Sequence, residues 1–315
     1  MPAFTYDRIV DSNVRKILEK INIRGELKRN EPMSSHTTFK TGGPAEFFFI
    51  PRSLEGLKAI LSFCKEYGVP YFILGGGANI LVSDRGINGI VINMEHFNRI
   101  QFQDTLCYAD SGASMNMAAE QAGEKGFSGL EFIFAMPGTV GGAIWMNARC
   151  YGSSLSDILY SVDYLDENLS LKKITRKMIL ETAGYKKSFF QTSDSIILKG
   201  EFLLKKGDRE TIKDLMAAHK KDREDKGHFL FPSAGSIFKN NRKFGEPTGA
   251  IIESLGLKGR SIGGAQVAPF HGNIIINKGT ATSKDIRDLI ELCKDEVQQK
   301  RGILLEREVQ YVGLW

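Results

Sequence analysis

The chain has 315 residues, 42% of them apolar and 25% charged, a length that suits two domains and a composition that suits a soluble globular protein. No apolar run approaches the ~20 residues that span a bilayer. The charged N-terminus MPAFTYDRIVDSNVRK lacks a secretory h-region, so a cytoplasmic location is expected. The net charge of +5 is mild and suits an anionic small substrate as well as a nucleic acid.

In chain order, SLEGLKAILSFCKEYGVP sets Leu54, Leu57, Leu61 and Cys64 at helical spacing and stops at Gly68 and Pro70. The strand YFIL follows, then the turn segment GGGANILVSDRG and a second strand, INGIVINM. GDRETIKDLMAAHKKDREDK predicts a helix with Ile212, Leu215, Met216 and His219 on one face, which makes His219 a partly buried structural residue. TSKDIRDLIELCKDEVQQKRG opens on a capping box, Thr282 to Asp285, and closes at Gly302. The charge-dense stretch 205–226 marks a shift in composition, and a domain boundary is expected near Lys205. The expected class is α+β with mixed sheets.

The four cysteines are scattered without a C-x-x-C and the five histidines are dispersed, so reduced thiols and no metal site are expected. Three glycine-dense segments carry more information: TGGPA (41–45), GGGANIL (75–81) and MPGTVGGAIWMN (136–147). A Rossmann fingerprint at Gly75-Gly76-Gly77 fails, because its third glycine would fall at Ile80 and ILVSD alternates like a strand. Consecutive glycines can instead turn backbone N–H groups inward as an anion nest, with Asn79 adding a side-chain donor. Any one of these segments reads as a tight turn; three in one N-terminal half point to a pyrophosphate. Within FPSAGSIFKNN (231–241), Ser236 is the lone hydroxyl between Gly235 and an apolar pair, with no G-x-S-x-G elbow.

The segments HTTFKTGGPAEFF, ILGGGANILVSDRGINGIVI, GLEFIFAMPGTVGGAIWMNA, PSAGSIFKN, LGLKGRSIGGAQVAPFHGNIIIN and GILLEREVQYVG occur in the order found in UDP-N-acetylenolpyruvoylglucosamine reductases, also called UDP-N-acetylmuramate dehydrogenases. The resemblance runs from about His36 to Gly313. It implies a two-subdomain FAD-binding half of the vanillyl-alcohol-oxidase type, 1–95 and 96–205, and a C-terminal α+β substrate domain, 206–315. The short span before Ser236 resembles the subgroup that lacks an inserted tyrosine loop. The implied reaction is NADPH-dependent, with non-covalent FAD, on a UDP-linked enolpyruvyl amino sugar of peptidoglycan precursor synthesis. Neither nucleic acid nor membrane is implied as a partner.

The resemblance makes Ser236 the proton donor. A serine is a weak acid, but a carbanion-like carbon is a strong base, so a hydroxyl held in reach suffices. Glu308 would stabilise or protonate the enolic intermediate, with burial raising its pKa. If GILLEREVQYVG is one strand, Leu305, Val309 and Tyr311 share a face and Glu306 and Glu308 share the other; only the motif selects Glu308.

Where the family carries an arginine in YRxS, this chain has Lys186 in GYKKSFF, a point charge without a bidentate fork. Arg149, in MNARCYG, stands where many members carry a small residue, and the two are expected to share the carboxylate- and flavin-facing work. The resemblance assigns FAD contacts to Thr41, Gly42, Gly75, Gly76, Gly77, Ala78, Asn79, Ile80, Pro137, Gly138, Thr139, Gly141, Gly142, Arg149 and Tyr185. It assigns substrate contacts to Lys226, Asn240 and His271, while Arg223 and Glu306 read as solvated surface. Two alternatives stand against this reading. One is a flavin oxidase or dehydrogenase of the same fold acting on a hydroxy acid or sugar lactone. The other is a nucleic-acid patch at 204–226, disfavoured by its interspersed acids and lack of aromatics.

Overall fold

A computed structural model describes residues 11–20 and 23–315. The chain forms two compact units, each assembled from separated segments. Of the described residues, the first takes those up to Arg29, then Phe47–Gly76 and Asn88–Lys221; the second takes Asn30–Glu46, Gly77–Ile87 and Asp222–Trp315. The last boundary therefore falls after Lys221 rather than near Lys205. The helix Arg209–Asp225 explains the difference: it buries Ile212 and Met216 in the first unit, so the charge density at 205–226 is the solvated face of a packed helix. Leu215, expected on that buried face, is 45% exposed. It lies roughly 60° around the helix from the Ile212–Met216–His219 stripe.

The first unit holds two cores. One lies under a sheet ordered Gly25–Pro32, Pro44–Pro51, Ile87–Asn93, Tyr71–Leu74, whose last two strands are parallel. The helix Leu54–Tyr67 packs Leu57, Leu61 and Cys64 into it; Ser53 caps the start by accepting from Gly56 N at 3.2 Å, and Gly68 closes the end at φ 62°. The other core lies against a five-stranded antiparallel sheet ordered Leu171–Thr175, Leu159–Leu165, Ile196–Leu203, Leu106–Asp110, Ile100–Gln103. The helices Met115–Glu124 and Val140–Met146 contribute Ala118, Ala122 and Ile144 to it.

The second unit carries a sheet ordered Ser233–Ser236, Ile274–Asn277, Ala265–Val267, Ser261–Ile262, and a parallel pair of Ile80–Val82 with Gln310–Val312. Its core joins Phe39, Leu81, Ile237 and Phe238 to Ile286, Leu289, Ile290, Cys293 and Val297 of the helix Ser283–Arg301. Each such fully buried side chain contributes about 1.5–3 kcal/mol. The expected capping box is present, Thr282 with Asp285, and Gly302 ends the helix at φ 66°. Among the described residues no helix is long and apolar enough to cross a membrane.

The expected long strand over GILLEREVQYVG is shorter: only Gln310–Val312 is strand. Upstream, Arg307 forms an isolated bridge to Phe238, and Glu306 and Glu308 do not share an environment. The Glu306 side chain is 73% exposed and ion-paired to Lys239, whereas Glu308 is buried. Burial separates the two glutamates that alternation left equivalent.

Candidate active site

In the second unit Ser236 ends its strand. Gly235, at φ 70°, takes the left-handed conformation that a side chain disfavours, and the register against Ile274–Asn277 slips between Ser233 and Ser236. Beyond the bulge the chain is fixed by buried Asn273, whose side chain accepts from Phe238 N at 2.9 Å and donates to Phe238 O at 2.8 Å. Glu308 N donates to Ile237 O at 2.8 Å, and Lys239 N donates to Glu306 O at 2.9 Å. Two residues far apart in sequence, Ser236 and Glu308, are thereby set on adjacent backbone. Asn79 joins them: its amide donates to Glu308 O at 3.0 Å, and its own carbonyl accepts from Gln310 N at 3.0 Å.

The glycine turn leading into Asn79 is sterically required. A Cβ on Gly77, at φ 60°, would sit 1.9 Å from His36 O. Thr41 precedes Gly42 and Gly43, and Gly43 N donates to Ser83 O at 2.8 Å. Asn240 is exposed and accepts from Thr248 N at 2.9 Å, so it also braces the start of a short helix. Lys226 pairs with Asp222 at 2.8 Å. His271 Nδ1 accepts from Asn273 N at 3.1 Å, which leaves the ring proton on Nε2. Burial is the main cause that lowers the His271 pKa, and it pushes neighbouring His228 down to about 4, assisted by the charges of Arg223, His271 and Lys226.

In the first unit, Gly75 and Gly76 lie against Gly138 and Thr139: a Cβ on Gly75 would meet Thr139 Oγ1 at 2.5 Å, and one on Gly76 would meet Gly138 Cα at 2.9 Å. Thr139 caps the helix Val140–Met146, and Gly141 N donates to Ser111 O at 2.7 Å. Arg149 meets Tyr185, and Lys186 follows Tyr185 in the chain. The Arg149 guanidinium lies 5.9 Å from the Tyr185 ring centroid and donates to Gly152 O at 3.4 Å. Tyr185 and Lys186 form a tight turn closed by reciprocal Gly184–Lys187 backbone bonds of 3.0 and 3.1 Å, with Lys186 at φ 55°. Buried Asn147 ties this turn to the Arg149 segment by donating to Gly184 O at 2.9 Å. His219 holds the far end of that segment. Its Nδ1 donates to Glu131 O at 2.8 Å, and its ring stacks on Tyr151 at 3.9 Å.

In the second unit Thr38 Oγ1 and Thr41 Oγ1, beside Gly42 and Gly43, and in the first unit Ser111 Oγ, beside Gly112, are buried without a protein partner. Such hydroxyls normally find one, and donors of this kind beside glycine turns fit a phosphate-bearing, ring-containing cofactor. Thr38 and Ser111 are not among the expected site residues. Ser111 is signalled only by its place in the SGAS turn, and Thr38 by its nearness to TGG. Among the described residues no group of His, Cys, Asp and Glu is arranged to hold a metal ion.

Comparison with known proteins gives the class first. The FAD binding domain family matches residues 45–174, and the C-terminal domain family of UDP-N-acetylenolpyruvoylglucosamine reductase matches residues 225–312. The α+β class with an FAD-binding half therefore stands, and the protein is an FAD-dependent oxidoreductase. UDP-N-acetylenolpyruvoylglucosamine reductase of Borrelia garinii is 43% identical over 301 residues, covering 95% of this chain and 97% of its own. That of Clostridium novyi is 38% identical, with 96% and 97% covered. The crystal structure of the Thermus caldophilus reductase superposes with a TM-score of 0.76 at 30% identity, over 92% of this chain and 99% of that one. The chain belongs to the UDP-N-acetylenolpyruvoylglucosamine reductase family.

Proposed function

We propose that this cytoplasmic enzyme reduces UDP-N-acetylglucosamine enolpyruvate to UDP-N-acetylmuramate, a peptidoglycan precursor, with NADPH as hydride donor. FAD, when bound, would supply the hydride-transfer chemistry between NADPH and the enolpyruvyl ether. What the chain adds is the proton. Ser236 donates its hydroxyl proton to the carbon beside the carboxylate and regains one from solvent, and Glu308, as the neutral acid, stabilises or protonates the enolic intermediate. The observation that carries this reading is the backbone coupling of the two residues, with Glu308 N bonded to the carbonyl next to Ser236. General acids of this kind contribute about 10²–10⁴-fold, and only when they are held in place.

Arg149 and Lys186 neutralise the substrate carboxylate. The cation–π contact with Tyr185 orients the guanidinium, which restores the planar donor that Lys186 lacks. Thr41, Gly42, Gly75, Gly76, Gly77, Ala78, Asn79, Ile80, Pro137, Gly138, Thr139, Gly141 and Gly142 hold FAD non-covalently, with Tyr185 beside them. Lys226, Asn240 and His271 bind the UDP-sugar. The orphaned hydroxyls of Thr38, Thr41 and Ser111 support the cofactor assignment.

The test is an anaerobic visible spectrum of the FAD-loaded protein. NADPH should bleach the flavin band, and the enolpyruvyl UDP-sugar should restore it. Bleaching without return would remove the substrate assignment and favour a hydroxy-acid or sugar-lactone oxidase.

A further inference from the structure

We propose that His228 is a ligand for the diphosphate of the nucleotide-linked substrate, acting beside Lys226 and His271. The inference deepens the function proposed above and rests on it. His228 lies three residues beyond the end of the helix Arg209–Asp225, and its place is set by Gly227. Gly227 takes φ 72°, and a Cβ there would meet the Phe270 ring at 2.8 Å, so glycine alone lets the chain reverse at that point. His228 N then closes the helix end by donating to Arg223 O at 3.0 Å.

The reversal brings the His228 ring to 6.1 Å from the His271 ring, at 56°. Four elements face the pair. The helix end contributes Arg223, Lys226 and Asp222; the segment after the helix Thr248–Ser254 contributes Lys258, and that helix contributes Glu253. The loop before Ile274–Asn277 contributes His271 itself. Asp222 pairs with Lys226 and Glu253 with Lys258, each at 2.8 Å. The Arg223 guanidinium lies 5.7 Å from the Phe229 ring.

Three cations thus lie near two half-buried imidazoles, two of them paired to carboxylates. Burial first, and the neighbouring cations second, oppose protonation of His228. An incoming anion with several charged oxygens reverses the balance. It can accept from His271 Nε2 and Lys226 Nζ and draw a proton onto His228, making both of its ring nitrogens donors. A diphosphate has the required charge and number of acceptors. The exchange is a simple protonation: one solvent proton moves to the imidazole, and no bond to the ligand changes.

The experiment is calorimetric titration of UDP-N-acetylglucosamine, whose diphosphate diester carries no titrating proton at this pH, into the full-length FAD-loaded protein at pH 6.5, repeated in buffers of different ionisation enthalpy. Unaltered protein should take up a sizeable fraction of a proton, roughly half or more, as the nucleotide sugar binds. His228→Asn should lose most of that uptake and bind it about tenfold more weakly, and His228→Lys should recover affinity without the proton. In turnover the loss should fall on KM for the enolpyruvyl UDP-sugar rather than on kcat. Unaltered protein that binds UDP-N-acetylglucosamine with no proton uptake overturns the inference, as does His228→Asn with full affinity. The first result needs no variant, so a folding defect in the variants cannot mask it. Turnover of the enolpyruvyl UDP-sugar by the same preparation separates the outcomes: if turnover is present, only the role of His228 falls, and if it is absent, the substrate reading falls.

Discussion

The two units hold their chemistry in different ways. Around Ser236 and Glu308, backbone bonds do most of the work: Ile237 and Phe238 are tied on one side by Asn273 and on the other by residues 306–308. Around Arg149 and Lys186, turns do it. Asn147, Tyr151 and Lys186 all take positive φ, and the contacts are a cation–π pair, a ring stack and single amide bonds. The difference matches the two tasks proposed for these residues. Proton delivery to carbon depends steeply on sub-ångström placement, whereas neutralising a carboxylate is a longer-range Coulombic job that a side chain on a turn can perform.

Breaking the first region should therefore be costly. Glu308→Gln, which preserves shape and removes the acidic proton, should slow turnover by about 10²–10⁴-fold with little change in KM, measured by steady-state kinetics. Asn273→Ala leaves both backbone groups of buried Phe238 without their side-chain partner. Each such group costs about 1–3 kcal/mol, so chemical denaturation should show a loss of roughly 2–6 kcal/mol together with lost activity.

The second region should be more forgiving. Arg149→Ala should raise KM for the UDP-sugar by roughly 10–100-fold, the worth of a hydrogen bond to a charged group, and Arg149→Lys should recover part of it. Unchanged turnover and affinity in Arg149→Ala would remove this residue from the account.

Smaller effects sharpen the contrast. The His228 pKa is depressed to about 4 in the fold against 6.5 unfolded. Its neutral form thus stabilises the unliganded protein above pH 6.5, and that contribution is lost as pH falls toward 4. Tm should drop over that window in unaltered protein and drop less in His228→Asn. Burial pushes the thiols of Cys64, Cys107 and Cys293 up to about 12. Iodoacetamide at neutral pH should therefore label Cys150 first in the native protein, as peptide mapping would show.

Much of this was legible in the sequence. The helix over 54–67, the capping box at Thr282 and the glycine turn at 75–79 are local features with local causes, and they appear where spacing and caps predicted them. The Ser236–Glu308 juxtaposition is not local. Alternation treated Glu306 and Glu308 alike because it assumed a continuous strand, and the bridge from Arg307 to Phe238 is a tertiary contact without a periodic trace. The unit boundary was misread for a related reason: a helix dense in charge still buries a two-residue stripe, and its composition reports only the exposed face. His228 was passed over because its meaning lies in His271, a neighbour distant in sequence.

The most direct measurement is rapid mixing of Ser236→Ala, reduced beforehand with NADPH, against rising concentrations of the enolpyruvyl UDP-sugar. The account predicts that the saturating rate of flavin reoxidation falls about 10²–10⁴-fold. The half-saturating concentration and the NADPH-driven bleaching should stay close to those of the unaltered protein. A saturating rate that survives the substitution, or a change confined to the half-saturating concentration, would contradict the assignment of Ser236 as the proton donor.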